Sequence, residues 1–581
     1  MLFLLGFGLF ITIGYQLYKV QVVSGEAYRE QVDNQHSYII STQDNPRGDI
    51  YLRYHDGNRI LAATDRKYYE LVINNINLKD ADGLRKHLDT YTSYDENRLK
   101  RILLRKNDPY EILKSRLSNE EVEAFKKHPY PGLELHARKE RYYPLGDLVS
   151  EVVGFVSFRN NVFAGTYGLE KYYDAILRKE NNGRSKSIFL SLFDDDSNEE
   201  EEENAQETGF QKNIGKEGSL VITIEPQVQD QLMRELDSID ERFGSEYSAG
   251  IVLDPRSGQV VAMGSSKRFD PNDEKQHYRN VVIEDRYEFG SIMKPLTIAM
   301  ALDAGVIDTD FVYNDKGFLK LNKRTIYNYD RAGRGPNTSL QTILSQSLNI
   351  GVATIALKLG VDEFLEYINA LGLSQETGVD LPYEMYGNTD NIDTGRDVEL
   401  ATASYGQGIA VTLIEMAKAW GALANEGIVK TPYLVDVIEY GDLIPSRNIP
   451  SGGDRRVFSI ETTKQVTDML IPIVDDTSTF RAYSLPQHSV AIKTGTAQLA
   501  RPQGGYYSNE FLHALAGYFP AQAKPEDPKF VVVLFTYKPQ NAQYSSTTLK
   551  DSFFDITQFM ISYYNLSPDR NTTTLSNYEP L

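Results

Sequence analysis

Nine of the fourteen residues from Asp194 to Glu207 are acidic, and Ala205 is the single apolar side chain among them. Such a run has nothing to fill a core with, and its charges repel one another, so it stays solvated. A chain interrupted in this way packs as separate parts on either side. At 581 residues there is room for roughly two to four domains of ordinary size. The sequence divides into an apolar segment at 1–20, a first folded part at 21–192, the acidic linker or insertion at 193–215, a second folded part at 216–566 and a polar tail at 567–581.

Composition removes several classes of function. A net charge of −20 argues against a nucleic-acid partner, because a phosphate-binding surface needs clustered Lys and Arg. There is no cysteine, which excludes disulfides, thiolate nucleophiles and thiolate metal sites. The eight histidines form no His-x-x-x-His pair, so no zinc site is expected. No cofactor motif stands out. The opening MLFLLGFGLFITIGYQLY carries no charge before Lys19. As a helix it spans about 27 Å, close to a hydrocarbon core. With no basic leader segment and no A-x-A site, an uncleaved single-pass anchor is expected rather than a cleaved signal peptide. Lys19 follows the apolar run, so the positive-inside rule does not orient it; a basic segment ahead of residue 1 would.

The first part alternates β-like runs with turns, as at Tyr51–Leu61 around Asp56-Gly57 and at Tyr68–Ile73. One helix is expected over Asn119–His128, entered at Ser118 with Glu121 completing a capping box. No set of reactive groups is visible there, which marks a spacer or docking module. The second part opens with a strand at Ser219–Ile224 and a helix over Gln227–Leu236. Ala249–Met263 reads as a hairpin about Asp254-Pro255-Arg256-Ser257-Gly258. Helical patterns dominate Ser291–Leu371, and strands return at Val490–Thr496, His513–Tyr518 and Lys529–Tyr537. Strands early and late with helices between predict one α+β domain whose sheet joins its two sequence ends.

Three short elements hold residues suited to chemistry. Ser291 and Lys294 lie at the start of a helical run, and a spacing of three places them side by side on one face. A serine hydroxyl becomes a nucleophile when a base takes its proton, and an amine serves as that base only when burial or a second cation keeps it neutral. Ser347 and Asn349, two apart, do not share a helix face, so they act together best at a helix end. There the hydroxyl relays a proton and the amide holds a carbonyl. Lys493-Thr494-Gly495-Thr496 ends a strand, with Lys493 and Gly495 pointing one way and the threonines the other. Glycine there marks close approach by another backbone, and a peptide can lie along such an edge as an added strand. Lys493 is the second cation for Lys294 and draws a carboxylate, which the threonine hydroxyls bond. Each element alone is a common pattern.

In this order, Ser-x-x-Lys, Ser-x-Asn and Lys-Thr-Gly are the signature of penicillin-binding proteins and class A β-lactamases. The chain resembles a class B penicillin-binding protein over roughly residues 1–565, the acidic run apart. Arg47-Gly48-Asp49-Ile50 with Asp56-Gly57 and Leu61-Ala62, Arg141-Tyr142-Tyr143-Pro144-Leu145-Gly146 and Gly168-Leu169-Glu170 are similar to the family's pedestal motifs. Tyr287-Glu288-Phe289-Gly290, Thr377-Gly378-Val379-Asp380-Leu381-Pro382 and Tyr405-Gly406-Gln407-Gly408 are similar to motifs of its catalytic part. The chain departs from the family at Phe289, where proline is usual, at Leu52-Arg53-Tyr54-His55, and in the acidic insertion.

The resemblance implies a multidomain α+β protein: an N-terminal transmembrane helix, a β-rich elongated pedestal, and a transpeptidase domain with an antiparallel sheet flanked by helices. It implies no glycosyltransferase domain. Ser291 then attacks the D-Ala-D-Ala bond of a peptidoglycan stem peptide, and an amine from a neighbouring strand takes the acyl group. Lys294 carries over as base, Ser347 as proton relay, and Asn349, Lys493, Thr494 and Thr496, with Gly495 between them, as substrate binders. The Ser291 and Thr496 N–H groups form the oxyanion hole. β-Lactams inhibit by acylating Ser291. The resemblance further implies single-pass anchoring in a bacterial cytoplasmic membrane with the catalytic part outside. A SEDS-family glycosyltransferase and other cell-wall synthesis proteins are the implied partners. The Lys294-Pro295-Leu296-Thr297 continuation leans toward division rather than elongation. A β-lactamase or D,D-carboxypeptidase of the same fold is the enzymatic alternative, and a lactam sensor or wall scaffold the non-enzymatic one.

Overall fold

The computed structural model describes residues 47–159, 162–178, 217–273, 278–321, 324–440, 447–448 and 454–570. The expected anchor, the acidic run and residues 571–581 of the tail lie outside them. Among the described residues no helix is long and apolar enough to cross a membrane.

Strands β1 (Ile50–Arg53) and β2 (Arg59–Ile73) form the expected hairpin, with Gly57 at φ +89° in the turn. Such a backbone favours a residue without Cβ. Strand β2 runs on to pair with both β3 (Glu111–Lys114) and β4 (Leu133–Tyr142). Three helices accompany them: α1 (Ala81–Tyr91), α2 (Glu96–Leu103) and α3 (Asn119–Lys127). The Ser118–Glu121 capping box of α3 is present. Expected as β-rich, this region is in fact mixed. Asp80 and Asp95 cap α1 and α2 by accepting the free N–H groups of their first turns. Leu84, Leu88, Leu99 and Ile102 then bury one face of each against Leu71, Ile73 and Phe125 in a small core of their own. Short amphipathic helices with single Asp caps were the signal not read.

The other half of the pedestal has no separate core. Ser219–Ile222, read as the opening strand of the second part, lies parallel to β1 in the register Ile50↔Leu220 and Leu52↔Ile222. Val435–Glu439 pairs antiparallel along its other edge. Ile50, Leu52, Leu220 and Ile222 are fully buried in the same core as Leu232, Ile251 and Leu534.

The three pedestal motifs converge on a buried ion network. Arg47 Nε and Arg141 Nε donate to the two Glu170 oxygens at 2.6 and 2.7 Å, and Glu170 is fully buried. Arg141 also reaches Asp65 at 3.1 Å and the Gly48 carbonyl at 2.7 Å, and Arg47 reaches Asp174 at 2.8 Å. Burial pushes the Glu170 carboxyl up, but the two guanidinium groups outweigh it and hold it below the usual range. Further contacts seal the seam. Glu151 accepts from Ser265 N at 2.6 Å and from Ser265 Oγ at 2.8 Å. Asp380, from the Thr377–Pro382 motif, accepts the Leu434 and Val435 N–H groups and the Tyr173 hydroxyl.

The second part is built on strands β5 (Tyr247–Leu253), β6 (Val260–Ser265), β7 (Ala491–Ala500), β8 (Tyr506–Phe519) and β9 (Phe530–Tyr537). Their order is β7-β8-β9-β5-β6, antiparallel throughout, so the sheet does join the two sequence ends. Helix α4 (Pro226–Phe243) packs with the C-terminal helix Lys550–Tyr563, while Leu413–Ala424 packs with Ile460–Asp475. Both β5 and β6 are buried at every residue, as strands covered on two faces must be.

Replacing Glu170 by Gln leaves two buried guanidinium groups short of a counter-charge. Denaturant unfolding should show the variant destabilised by about 3–5 kcal/mol.

Candidate active site

The turn Gly290–Met293 is a single 3-10 turn that runs directly into α5 (Lys294–Asp303), with Pro295 in its first turn. Several contacts fix that turn. Gly290, at φ +63°, donates its N–H to the Gly406 carbonyl at 3.1 Å, and a Cβ on Gly406 would lie 2.3 Å from the Gly290 carbonyl oxygen. The indole N–H of Trp420, the one tryptophan, donates to the Ile292 carbonyl at 3.2 Å. Thr297 Oγ1 donates to the Ser404 carbonyl at 2.9 Å. Phe289 is 1 % exposed and packs edge-on against Tyr287 and Phe535. Its φ of −83° lies near proline's preferred range, so replacing proline leaves the turn close to what proline would set. Ser291 remains half-buried at the surface of this turn, while Lys294 is fully buried beneath it.

The second element is a helix break. Helix α6 (Leu340–Ser345) stops, and α7 (Asn349–Leu359) starts after three intervening residues. Ser347 in between adopts φ +53°, a left-handed conformation costing about 1 kcal/mol for a residue with Cβ. The Leu348 N–H closes α6 on the Ile343 carbonyl at 2.9 Å. Ending one helix and restarting another turns Ser347 and Asn349 to the same point, which an unbroken helix would not do.

The third element is the edge strand β7. Its burial alternates: Lys493, Gly495 and Ala497 are buried, whereas Thr494 and Thr496 are partly exposed. A Cβ on Gly495 would lie 2.4 Å from the Phe289 carbonyl oxygen, so glycine lets the strand meet the Ser291 turn. Thr496 Oγ1 accepts from Ser545 N and donates to Ser545 Oγ, both at 3.3 Å. Opposite Thr496 on β8, His513 bonds Thr548 Oγ1 at 3.1 Å, and burial lowers its pKa to about 4, so it is neutral.

These elements meet at two amines and one hydroxyl. Lys294 Nζ donates to the Ser347 carbonyl at 2.6 Å, to Ser347 Oγ at 3.2 Å and to Asn349 Oδ1 at 2.8 Å. Lys493 Nζ donates to the same Ser347 Oγ at 3.1 Å and to the Thr494 carbonyl at 2.9 Å. Burial drives the Lys294 pKa well below the lysine range, and the neighbouring Lys493 charge lowers it further. Burial lowers Lys493 to about 7. An amine whose charged form is disfavoured by burial is suited to take a proton from a serine hydroxyl. The Lys294 amine turns to Ser347 and Asn349, which offer it three acceptors. Asn349 Nδ2 donates to the Tyr327 carbonyl at 3.1 Å and keeps its second N–H for a ligand. Among the described residues no group of His, Asp or Glu is gathered closely enough to hold a metal ion.

Of the residues singled out in the sequence, Lys294, Ser347, Asn349 and Lys493 meet through hydrogen bonds; the supports around them carry no sequence signal. Trp420 and Ser545 act through backbone and hydroxyl contacts that no spacing pattern announces.

Comparison with known proteins agrees with this geometry. A family model described as penicillin binding protein transpeptidase domain matches residues 249–558, and one described as penicillin-binding protein dimerisation domain matches 42–209. Stage V sporulation protein D of Bacillus subtilis is 27% identical, covering 98% of this chain and 86% of its own length. The peptidoglycan D,D-transpeptidase FtsI of Escherichia coli K12 is 26% identical, covering 77% of this chain and 71% of its own length. Penicillin binding protein 3 of Mycobacterium tuberculosis, solved in complex with aztreonam, superposes with a TM-score of 0.65 at 20% identity. The match covers 91% of this chain and 98% of that one, which establishes a common fold.

The Lys493 shift has a stability consequence with a definite sign. Between pH 7 and 10.5 the folded chain holds fewer protons at this site than the unfolded chain, so stability rises with pH across that window. Below pH 7 the penalty of a buried charge is complete. Lys493→Met removes it, so calorimetry should find the variant's melting temperature gaining most on the wild type at pH 6, the gain shrinking toward pH 10.

Proposed function

The chain belongs to the family of penicillin-binding protein transpeptidases, and from that we propose a class B peptidoglycan D,D-transpeptidase of the division-type subgroup, acting through an acyl-enzyme on Ser291. The observation that carries the reading is the pair of buried amines converging on Ser347 beside the Ser291 turn.

Substrate binding turns the Ser291 hydroxyl toward Lys294, a hydrogen bond that forms in the complex rather than in the free enzyme. Neutral Lys294 takes the proton as Oγ attacks the carbonyl of the penultimate D-alanine. The N–H groups of Ser291 and Thr496 meet the developing oxyanion, where fixed donors act more strongly than water. Ser347, bonded to both amines, passes a proton to the departing D-alanine nitrogen. Lys493 with Thr494 and Thr496 holds the terminal carboxylate, and Asn349 holds a backbone carbonyl. An amine from a second stem peptide then displaces Ser291, closing the cross-link. A β-lactam follows the first half of this path and stays attached. Residues 1–20 anchor the chain in the cytoplasmic membrane with the catalytic part outside. The anchor and pedestal then dock a membrane glycosyltransferase of the SEDS type and other wall-synthesis proteins.

Fluorescent penicillin should label the wild type with a persistent adduct and leave Ser291→Ala unlabelled. Loss of its base should slow labelling of Lys294→Met by about 10²–10⁴-fold. Rapid release of the label would instead identify a β-lactamase, and an unlabelled wild type would rule out the acyl-enzyme.

A further inference from the structure

His513 lies beside the catalytic strand without a task in the chemistry above. It stands directly across from Thr496 on β8, and both it and Thr548 are fully buried. Its Nδ1 meets Thr548 Oγ1 at 3.1 Å, and Thr548 Oγ1 donates its one proton to the Ser545 carbonyl at 3.2 Å. With that proton committed, Thr548 can only accept from the ring, so Nδ1 carries the hydrogen. Burial keeps the imidazole neutral, which leaves Nε2 bare. That nitrogen is buried too and has no hydrogen-bond partner among the described residues. An apolar ring of similar size would fill the space and leave nothing unsatisfied, so histidine here costs stability. What it offers in return is one directed N–H.

The bonds that start at this N–H lead to the substrate side of the strand. Ser545–Thr548 is a single helical turn, gripped by His513 at Thr548. Its first residue turns the Ser545 N–H to Thr496 Oγ1 at 3.3 Å, and Thr496 Oγ1 gives its own proton to Ser545 Oγ, also at 3.3 Å. Both bonds are long for their type, so they aim the hydroxyl while holding its proton weakly. A carboxylate beside Thr496 offers a charge-assisted bond about twice as strong and takes that proton over. We propose that His513 is a positioning residue for the carboxylate end of the substrate: through Thr548 it fixes the Ser545 turn, and through Ser545 it aims the Thr496 hydroxyl. The inference rests on the transpeptidase reading and deepens it. The backbone of Thr496 is held separately, by the pairing of β7 with β8. His513 therefore governs the hydroxyl and not the N–H that meets the oxyanion.

The test uses the full chain in detergent and compares the second-order rate of acylation by benzylpenicillin with that by its methyl ester, read by intact mass. The ester keeps the reactive ring and removes the negative charge. The wild type should favour the free acid by about thirtyfold, near 2 kcal/mol, the range of a hydrogen bond to a charged group. His513→Phe should shrink that preference about tenfold through the acid alone, the ester rate staying within about twofold of the wild type. His513→Asn sets an N–H close to where Nδ1 stands and should restore the preference to within about threefold. Thr548→Val keeps the histidine and removes its acceptor. It should repeat the loss, and it carries the test alone if the phenylalanine variant does not fold. Equal losses on acid and ester, a preference unmoved by Thr548→Val, or an asparagine variant no better than phenylalanine would overturn the proposal. The wild type separates the two failures: an adduct whose acid preference ignores His513 removes the positioning role only, and no adduct from either compound removes the transpeptidase reading as well.

Discussion

Two lysine amines are held out of water around a single serine hydroxyl, and much of the molecule exists to keep them there. Moving Lys493 from its ordinary pKa of 10.5 to about 7 corresponds to about 5 kcal/mol of disfavoured charge, a large share of a typical domain's net stability. Lys294 lies beside it under the same pressure. Neither can relax toward solvent. One sits under a turn pinned by Trp420, Gly406 and Ser404, the other on a strand wedged against that turn through Gly495. A large continuous core is what makes so unfavourable a placement tolerable.

That core does not respect the division between pedestal and catalytic part. The ion network of Arg47, Arg141 and Glu170, which has no place in the chemistry, locks the chain where the first strand meets Ser219–Ile222. Asp380 performs a similar office from the other side, taking two backbone N–H groups of the Leu434–Val435 segment and a pedestal tyrosine. These motifs, whose sequence carries no mark of their role, act as structural joints.

The catalytic sheet and the site residues were legible because their signals are local: turn chemistry at Asp254–Gly258, β-branched runs at 490–496 and 529–537, and three short motifs in a telling order. What escaped depends on contacts between distant segments. No pattern places Ser219–Ile222 beside β1 rather than in the catalytic sheet, because an apolar strand buried on both faces is compatible with either. The helices α1 and α2 were missed because each is short and begins at one unremarkable aspartate. The contacts of the Lys294 amine with Ser347 depend on that serine's left-handed backbone, a conformation serine rarely adopts and sequence does not advertise.

The strand borrowed across the boundary has a mechanical meaning. Because Ser219–Ile222 is hydrogen-bonded to β1 on one side and to Val435–Glu439 on the other, catalytic body and stalk are one plank rather than two blocks on a hinge. A push delivered near β1 is carried to the body through these paired strands. Whatever steers the stalk therefore steers the aim of residue 291.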